Sequence, residues 1–301
     1  MNLPDGIILK GVGSFYEVLE DGTQSIYTCK VRGVYRKEGE MTPMPGDHVT
    51  FRVLNEDKLE GHIHQILERR NFFVRPPVAN IDQLAIVISV TSPGPDLMLV
   101  DKLVITCLAK DIQPLLIINK TDLDQEHLVE NLQSAYKGTG FPILVLSKFQ
   151  QEGYEPLHRE LIGHITAFAG QSGVGKSTIL NMVSKHWLME TGEVSDRIQR
   201  GKHTTRHVQL FILDQGGFIL DTPGFSSFSI SDITHESLET FYPEFNDAIG
   251  SCRFKGCSHI SEPDCSVQKL LHEGKLDEGR YNRYIELYKE LKEIYDNRYR
   301  R

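Results

Sequence analysis

The chain has 301 residues, 40% of them apolar and 25% charged, with a formal net charge of −8 and five cysteines. That length allows two or three domains. No apolar run approaches a membrane span, the start (Met1 to Gly6) lacks the charged and apolar regions of a signal peptide, and the acidic balance excludes wholesale electrostatic binding to nucleic acid, leaving room only for local basic patches. A cytoplasmic protein is expected, so the cysteines do not read as a disulfide framework.

Residues 1 to about 70 carry short strand-like pieces, Gly6–Lys10, Ser14–Val18, Ser25–Val31 and His48–Val53, separated by turn residues such as Asp21-Gly22 and Pro45-Gly46-Asp47. This spacing predicts a small all-β barrel, with an OB-fold leading. Such barrels commonly bind RNA through aromatic and basic residues on one face. Tyr16, Tyr27, Tyr35, Arg32, Arg36 and Lys37 are candidates, against the plainer reading of core and solvated charge. Arg69, Arg70 and Arg75 either touch phosphate or are solvated.

From about residue 80 the pattern changes. Leu84–Val90 is a continuous apolar run, as a strand buried on both faces requires. A helix over 96–110 follows, with Leu97, Val100, Val104 and Leu108 at helical spacing. Then come a strand over Pro114–Ile118, a helix over 125–137, a strand over Pro142–Leu146 and a short helix over 154–162. Alternating strands and helices predict a parallel sheet that binds ligands at the carboxyl ends of its strands. Asn119-Lys120-Thr121-Asp122 falls at one such end. The Asp122 carboxylate can accept from the N1–H and the 2-amino group of guanine, which adenine does not offer, so an adenine would leave the acid unpaired. Asn119 would brace the loop, the Lys120 stem would lie along the base, and Ser147-Lys148 after the third strand would complete the pocket.

The strand His164–Ala169 leads into Gly170-Gln171-Ser172-Gly173-Val174-Gly175-Lys176-Ser177-Thr178, which opens a helix at Ile179–Val183. Strand, glycine-rich turn and helix form the setting of a phosphate-binding loop. The glycines let successive N–H groups face one concavity, and the helix start adds unpaired donors. Lys176 can reach the β/γ-phosphates and the Ser177 hydroxyl can sit on Mg²⁺. Downstream, Thr204 and Thr205 in Gly201–Arg206 read as a nucleotide-dependent switch that adds a hydroxyl to Mg²⁺. A hairpin over Val208–Leu213 and Gly217–Leu220 then ends in Asp221-Thr222-Pro223-Gly224. Asp221 would hold the metal through water and the Gly224 N–H would meet the γ-phosphate. Lys176, Thr205 and His203 are the catalytic candidates.

Cys252, Cys257, His259 and Cys265 spell C-x4-C-x-H-x5-C. Four such ligands in a reducing compartment suit one closed, tetrahedral, structural Zn²⁺. Cys29 and Cys107 read as buried thiols. A terminal helix over 276–299 puts Leu276, Tyr284, Leu287, Tyr288, Leu291, Ile294 and Tyr295 on one broad side and ends in Arg298-Tyr299-Arg300-Arg301.

The order of these motifs is unusual. The guanine-reading stretch precedes the phosphate loop, whereas most GTPases have the reverse, so the nucleotide fold is circularly permuted. With the N-terminal barrel and the C-x4-C-x-H-x5-C region, the whole chain resembles the ribosome small subunit-dependent GTPases, the RsgA (YjeQ/YloQ) family. The resemblance implies an OB-like RNA-binding domain over 1–70, a permuted P-loop GTPase domain over 71–230 and a helical zinc domain over 231–301. It further implies GTP hydrolysis to GDP in late maturation of the 30S subunit, contacts of the barrel and zinc domain with 16S rRNA, and slow turnover until the particle stimulates it. A monomer suffices. Permutation also runs the Asp221 loop straight into the zinc region, so loss of the γ-phosphate is expected to re-orient that region. One departure bears on mechanism: Phe225 stands where many GTPases carry a water-orienting Gln. Either His203 or the ribosome then positions the attacking water. A small-molecule kinase and a GTP-gated RNA-binding module with incidental hydrolysis are the rival readings.

Overall fold

A computed structural model describes residues 3–31, 42–147, 154–188, 208–221, 230 and 232–299. The chain divides into two compact units, one of Met1–Leu84, Glu155–Phe168 and Lys176–Phe225, the other of Ala85–Tyr154, Ala169–Gly175 and Ser226–Arg301.

In the first unit, β1 (Asp5–Val12), β2 (Phe15–Glu20), β3 (Ile26–Val31), β4 (His48–Asn55) and β5 (Glu60–Ile66) close in the order β1-β2-β3-β5-β4-β1. This is the strand order of an OB-fold, as expected. Register shifts between Ile8 and Lys10 and between Thr50 and Phe51 supply the bends that closure needs. The sequence pattern does not reveal β5, because one of its two buried inward positions is Gly61. A Cβ there would lie 2.8 Å from Cys29 Sγ, so glycine permits the close approach. Ile8, Val18, Val49, Phe51 and Ile63 fill the barrel.

Strand register settles which aromatics face out. Tyr27 is in the core, its ring 5.2 Å from Phe51, and Tyr16 packs against the same core. The residue turned to solvent is Phe15. Tyr35, Arg32, Arg36 and Lys37 lie outside the described residues. Arg69 is held by buried Asp47 at 2.6 and 2.8 Å, and Arg70 by Asp82 at 2.5 Å, so both serve the barrel exit rather than a free phosphate. A hairpin of β6 (Phe72–Val74) and β7 (Pro77–Ala79) follows.

The same unit holds most of α3 (Tyr154–Leu161) and β11 (Ile165–Ala169), together with α4 (Lys176–Trp187) and the hairpin of β12 (Gln209–Ile212) and β13 (Phe218–Asp221). β11 and β13 run parallel, β12 and β13 antiparallel. Asp82 fixes the start of β11 by accepting from Ile165 N at 2.7 Å. β12 meets β1 at Gln209 and Lys10.

The second unit contains most of β8 (Gln83–Ser89), all seven of whose residues are buried, then α1 (Leu97–Ala109), β9 (Gln113–Asn119), α2 (Leu128–Tyr136) and β10 (Ile143–Val145). β10 runs parallel to β9. Asp96 caps α1 by accepting from Leu99 N at 3.0 Å. α2 starts three residues later than the sequence suggests. The Asp124 carboxylate accepts from Val129 N and Leu128 N at 2.9 and 3.0 Å, and these bonds, Val129 first, pull its pKa down.

The C-terminal part of this unit is built from short 3₁₀ turns, α5 (Ser266–His272) and the long α6 (Glu278–Tyr299). Tyr284, Leu287 and Leu291 of α6 share one core with Ile105 of α1, Leu238, Tyr242 and Phe245, with Cys252 and Cys257 packed against it. The broad apolar side expected of α6 therefore meets both the cysteine region and α1, although Tyr295 is exposed. At the centre of this packing lies a charge network. Fully buried Asp101 on α1 accepts from Tyr136 Oη at 2.6 Å, Arg280 Nη1 at 2.5 Å and Arg283 Nε at 2.6 Å. Arg280 also pairs with Glu244 through Nε, and its guanidinium lies 4.9 and 4.7 Å from the Tyr136 and Tyr242 rings. Burial opposes the Arg280 charge, but Asp101 and Glu244 outweigh it and raise its pKa. Cys29 and Cys107 are buried thiols, and burial pushes Cys29 up to about 12. No helix among the described residues is long and apolar enough to cross a membrane.

Candidate nucleotide and metal sites

Two loops of the second unit interlock. Asn119, at the end of β9, is buried and donates from Nδ2 to the Val174 carbonyl at 2.9 Å. Gly175 has φ +103°, and a Cβ there would lie 2.2 Å from that Asn119 nitrogen. Gly170, at φ +133°, would bring a Cβ within 2.3 Å of the Val87 carbonyl. Both positions demand glycine through conformation and close approach together. The Gly170–Gly175 turn is thus seated on β8 and pinned by the residue that opens Asn119-Lys120-Thr121-Asp122.

That second loop is itself shaped. Lys120 takes a left-handed conformation, φ +62°, and its Nζ donates to Ser92 O at 2.9 Å. Thr121 Oγ1 donates to Leu146 O at 3.1 Å, tying the loop to the end of β10. Ser147, buried beside it, donates from Oγ to Asp122 Oδ1 at 2.9 Å, while Asp122 itself is exposed. Ser147 thus contacts the Asn119–Asp122 loop through its hydroxyl. The anchoring of Lys120 by Ser92 is additional, because a backbone carbonyl leaves no sequence signal.

Gln171, Ser172, Gly173 and Val174 complete the turn, and Lys176, Ser177 and Thr178 form the first turn of α4. Burial draws the Lys176 ammonium below the ordinary lysine value. Ser177 and Thr178 are exposed, which leaves the Ser177 hydroxyl accessible to a hydrated Mg²⁺. Asp221 closes β13. Lys148, His203, Thr204, Thr205, Gly224 and Phe225 lie outside the described residues.

The ligand atoms of Cys252, Cys257, His259 and Cys265 all lie within 4.8 Å of one another. A tetrahedral ion with Zn–S of about 2.3 Å and Zn–N of about 2.0 Å would set S···S near about 3.8 Å and S···N near about 3.5 Å. Cys252 and Cys265 sulfurs are 4.0 Å apart, and His259 Nδ1 lies 3.6 and 3.4 Å from them. These spacings are near the tetrahedral values, and the four residues could hold a metal ion. His259 turns Nδ1 inward because Nε2 is bonded to Glu239 Oε2 at 2.5 Å, the carboxylate support usual for a ligating histidine. Glu239 was not identifiable from the C-x4-C-x-H-x5-C spacing, since it lies 20 positions upstream on another turn. The loop between His259 and Cys265 is braced by Glu262. Burial opposes ionisation of Glu262, but the Ser258 hydroxyl and the N–H groups of Ser258, Glu262 and Ser261 hold its carboxyl at about 2. Tyr281 and Tyr284 of α6 donate to His259 O and Ser258 O at 2.5 and 3.0 Å.

Comparison with known proteins agrees with this assembly of parts. Residues 66–231 match the RsgA GTPase family and residues 5–63 the RsgA N-terminal domain. The chain is 52% identical over 289 residues to the small ribosomal subunit biogenesis GTPase RsgA of Ruminiclostridium cellulolyticum, covering 96% of this chain and 94% of that one. It is 38% identical to the Bacillus subtilis protein of the same name, covering 97% and 98%. Among solved structures, YloQ, a circularly permuted GTPase, superposes with a TM-score of 0.82 at 34% identity, covering 97% of this chain and 96% of that one. YjeQ from Thermotoga maritima gives 0.83 at 31% identity, covering 96% and 99%. With a closed barrel, a permuted order of nucleotide loops and a Cys3His cluster, all along a sequence matched nearly end to end, the chain belongs to the RsgA GTPase family.

Proposed function

We propose that this GTP-hydrolysing P-loop enzyme acts in late maturation of the small ribosomal subunit, binding 16S rRNA and turning over GTP to GDP when the 30S particle stimulates it. The supporting observation is the Asn119–Val174 bond, which makes the base-reading loop and the phosphate loop one structural piece. In this reading Asn119, Lys120, Thr121, Asp122, Ser147 and Lys148 bind guanine. Gly170 to Thr178 and the Gly224 N–H hold the phosphates, with Lys176 on the β/γ oxygens. Ser177, Thr204, Thr205 and Asp221 hold Mg²⁺, which when bound neutralises charge on the β/γ-phosphates. Hydrolysis is then positioning and charge neutralisation, with Thr205 in the switch and the attacking water oriented by His203 or by a ribosomal group, because the Phe225 ring offers no hydrogen bond. The domains are 1–70 for the barrel, 71–230 for the GTPase and 231–301 for the metal-binding helical region. The protein works as a cytoplasmic monomer.

The test is GTP turnover by the purified protein, alone and with 30S subunits, beside ATP controls. A large rise confined to GTP with 30S is expected. Turnover indifferent to 30S would favour a GTP-gated RNA-binding module, the reading that Phe225 keeps open.

The cysteine cluster takes one structural Zn²⁺ per chain in this reading. Metal binding to such clusters is worth on the order of 10 kcal/mol of folding free energy. A strong chelator is therefore expected to release one equivalent of zinc and to unfold the region around α5 and α6, seen as lost amide-exchange protection there. Elemental analysis of the native protein showing no zinc would reject this assignment.

A further inference from the structure

The four-residue span between Cys252 and Cys257 forms an exposed tip carrying Arg253, Phe254 and Lys255. Its root is fixed. Cys252 Sγ accepts from Ser266 N at 3.3 Å, Ser251 O accepts from Ser266 Oγ at 2.8 Å, and Gly256, at φ +70°, turns the chain back to Cys257. The Phe254 ring is 45% exposed, although the core formed by Tyr242, Phe245 and Tyr284 takes the other aromatics around it in sequence. The Arg253 guanidinium lies 5.5 Å from the ring centroid and pairs with Asp264 at 2.9 Å, which limits its freedom.

The pairing recurs. Among the described residues the exposed phenylalanines are Phe15, Phe72 and Phe254. Lys30 Nζ lies 4.9 Å from the Phe15 ring, whereas the Arg69 guanidinium, 5.7 Å from the Phe72 ring, is engaged by Asp47. An exposed aromatic ring beside a cation is the element from which single-stranded nucleic acid sites are made: the ring stacks a base and the cation meets the phosphate. The tip of the metal loop suits this partner better than a protein surface. Its single large apolar group stands between two cations, whereas a protein hot spot is a desolvated, largely uncharged centre. In a chain of net charge −8, a basic and aromatic tip is a local feature.

We infer that Phe254 stacks on an unpaired RNA base while Arg253 and Lys255 contact its flanking phosphates. This rests on the reading that the partner is ribosomal RNA and specifies where the metal region grips it. The test measures binding to 30S subunits and to a protein-free 16S rRNA transcript with a non-hydrolysable GTP analogue. Phe254→Ala is expected to weaken RNA binding about tenfold, roughly 1.4 kcal/mol, within the range of base–aromatic stacking. Phe254→Trp is expected to restore it, with GTPase activity in the absence of ribosomes unchanged in both. Replacing Arg253 and Lys255 by Ala is expected to flatten the salt dependence of log K by about 0.7 for each lost phosphate contact. A photo-reactive phenylalanine analogue at position 254 is expected to cross-link to RNA. Unchanged affinity of Phe254→Ala for both probes, or cross-links to ribosomal protein alone, would overturn the inference. If wild-type protein binds the transcript but not 30S subunits, the small-subunit reading fails while the stacking claim stands or falls on the transcript.

Discussion

Asp122→Asn is expected to lower affinity for GTP by about 10²- to 10⁴-fold and to create a preference for xanthosine triphosphate. The carboxylate can accept from two guanine donors, each such charge-assisted bond being worth about 1.5–3 kcal/mol. An amide can accept one and turns a donor toward the other. The structure indicates how the amide would sit: the Ser147 hydroxyl donates to Oδ1, so the Asn carbonyl oxygen takes that position and its NH₂ faces the base. Xanthine carries a carbonyl where guanine has its amino group and would accept from that NH₂. Nucleotide affinities by fluorescence or calorimetry decide it. Equal binding of GTP by wild type and variant would remove Asp122 from the base site.

Arg280→Ala is expected to destabilise the second unit by about 3–5 kcal/mol. The side chain is buried between two tyrosine rings and bonds two acids, Asp101 and Glu244. Truncation leaves Asp101 with Arg283 as its remaining cation and Glu244 without its guanidinium partner, and it removes the planar packing that fills the gap. Amide exchange should locate the loss in α1, α2 and α6 rather than in the barrel, and the urea midpoint should fall. Arg280→Lys should recover little, because an ammonium cannot both bridge the two acids from separate nitrogens and stack between the rings. A variant as stable as wild type would show that the network contributes nothing net, the outcome known for some buried ion pairs.

What the sequence made legible was local and contiguous. The phosphate loop, the Asn119–Asp122 loop and the cysteine spacing each lie within a dozen or so residues, and their chemistry is written in residue type and order. The alternating β8-to-β11 segment was equally readable, since full burial forces continuous apolar runs. What escaped was long-range or register-dependent. Asp101 looks like a surface acid on an apolar helix until Arg280, 179 positions away, is brought to it. Glu239 is one glutamate among many until His259 packs on it. Whether Phe15 or Tyr16 faces solvent depends on pairing parity, and a shift of one residue inverts the face.

Strand β1 belongs to two structures at once. Its early residues close the barrel on β4, and Lys10 pairs with Gln209 of the β12–β13 hairpin. Excising the N-terminal barrel as though it were a detachable cassette would strip a neighbour from β12, whose buried Leu210 and Phe211 would then border an unguarded sheet edge. The same strand that completes the barrel also acts as the edge guard of the β12–β13 hairpin, so losing it invites self-association.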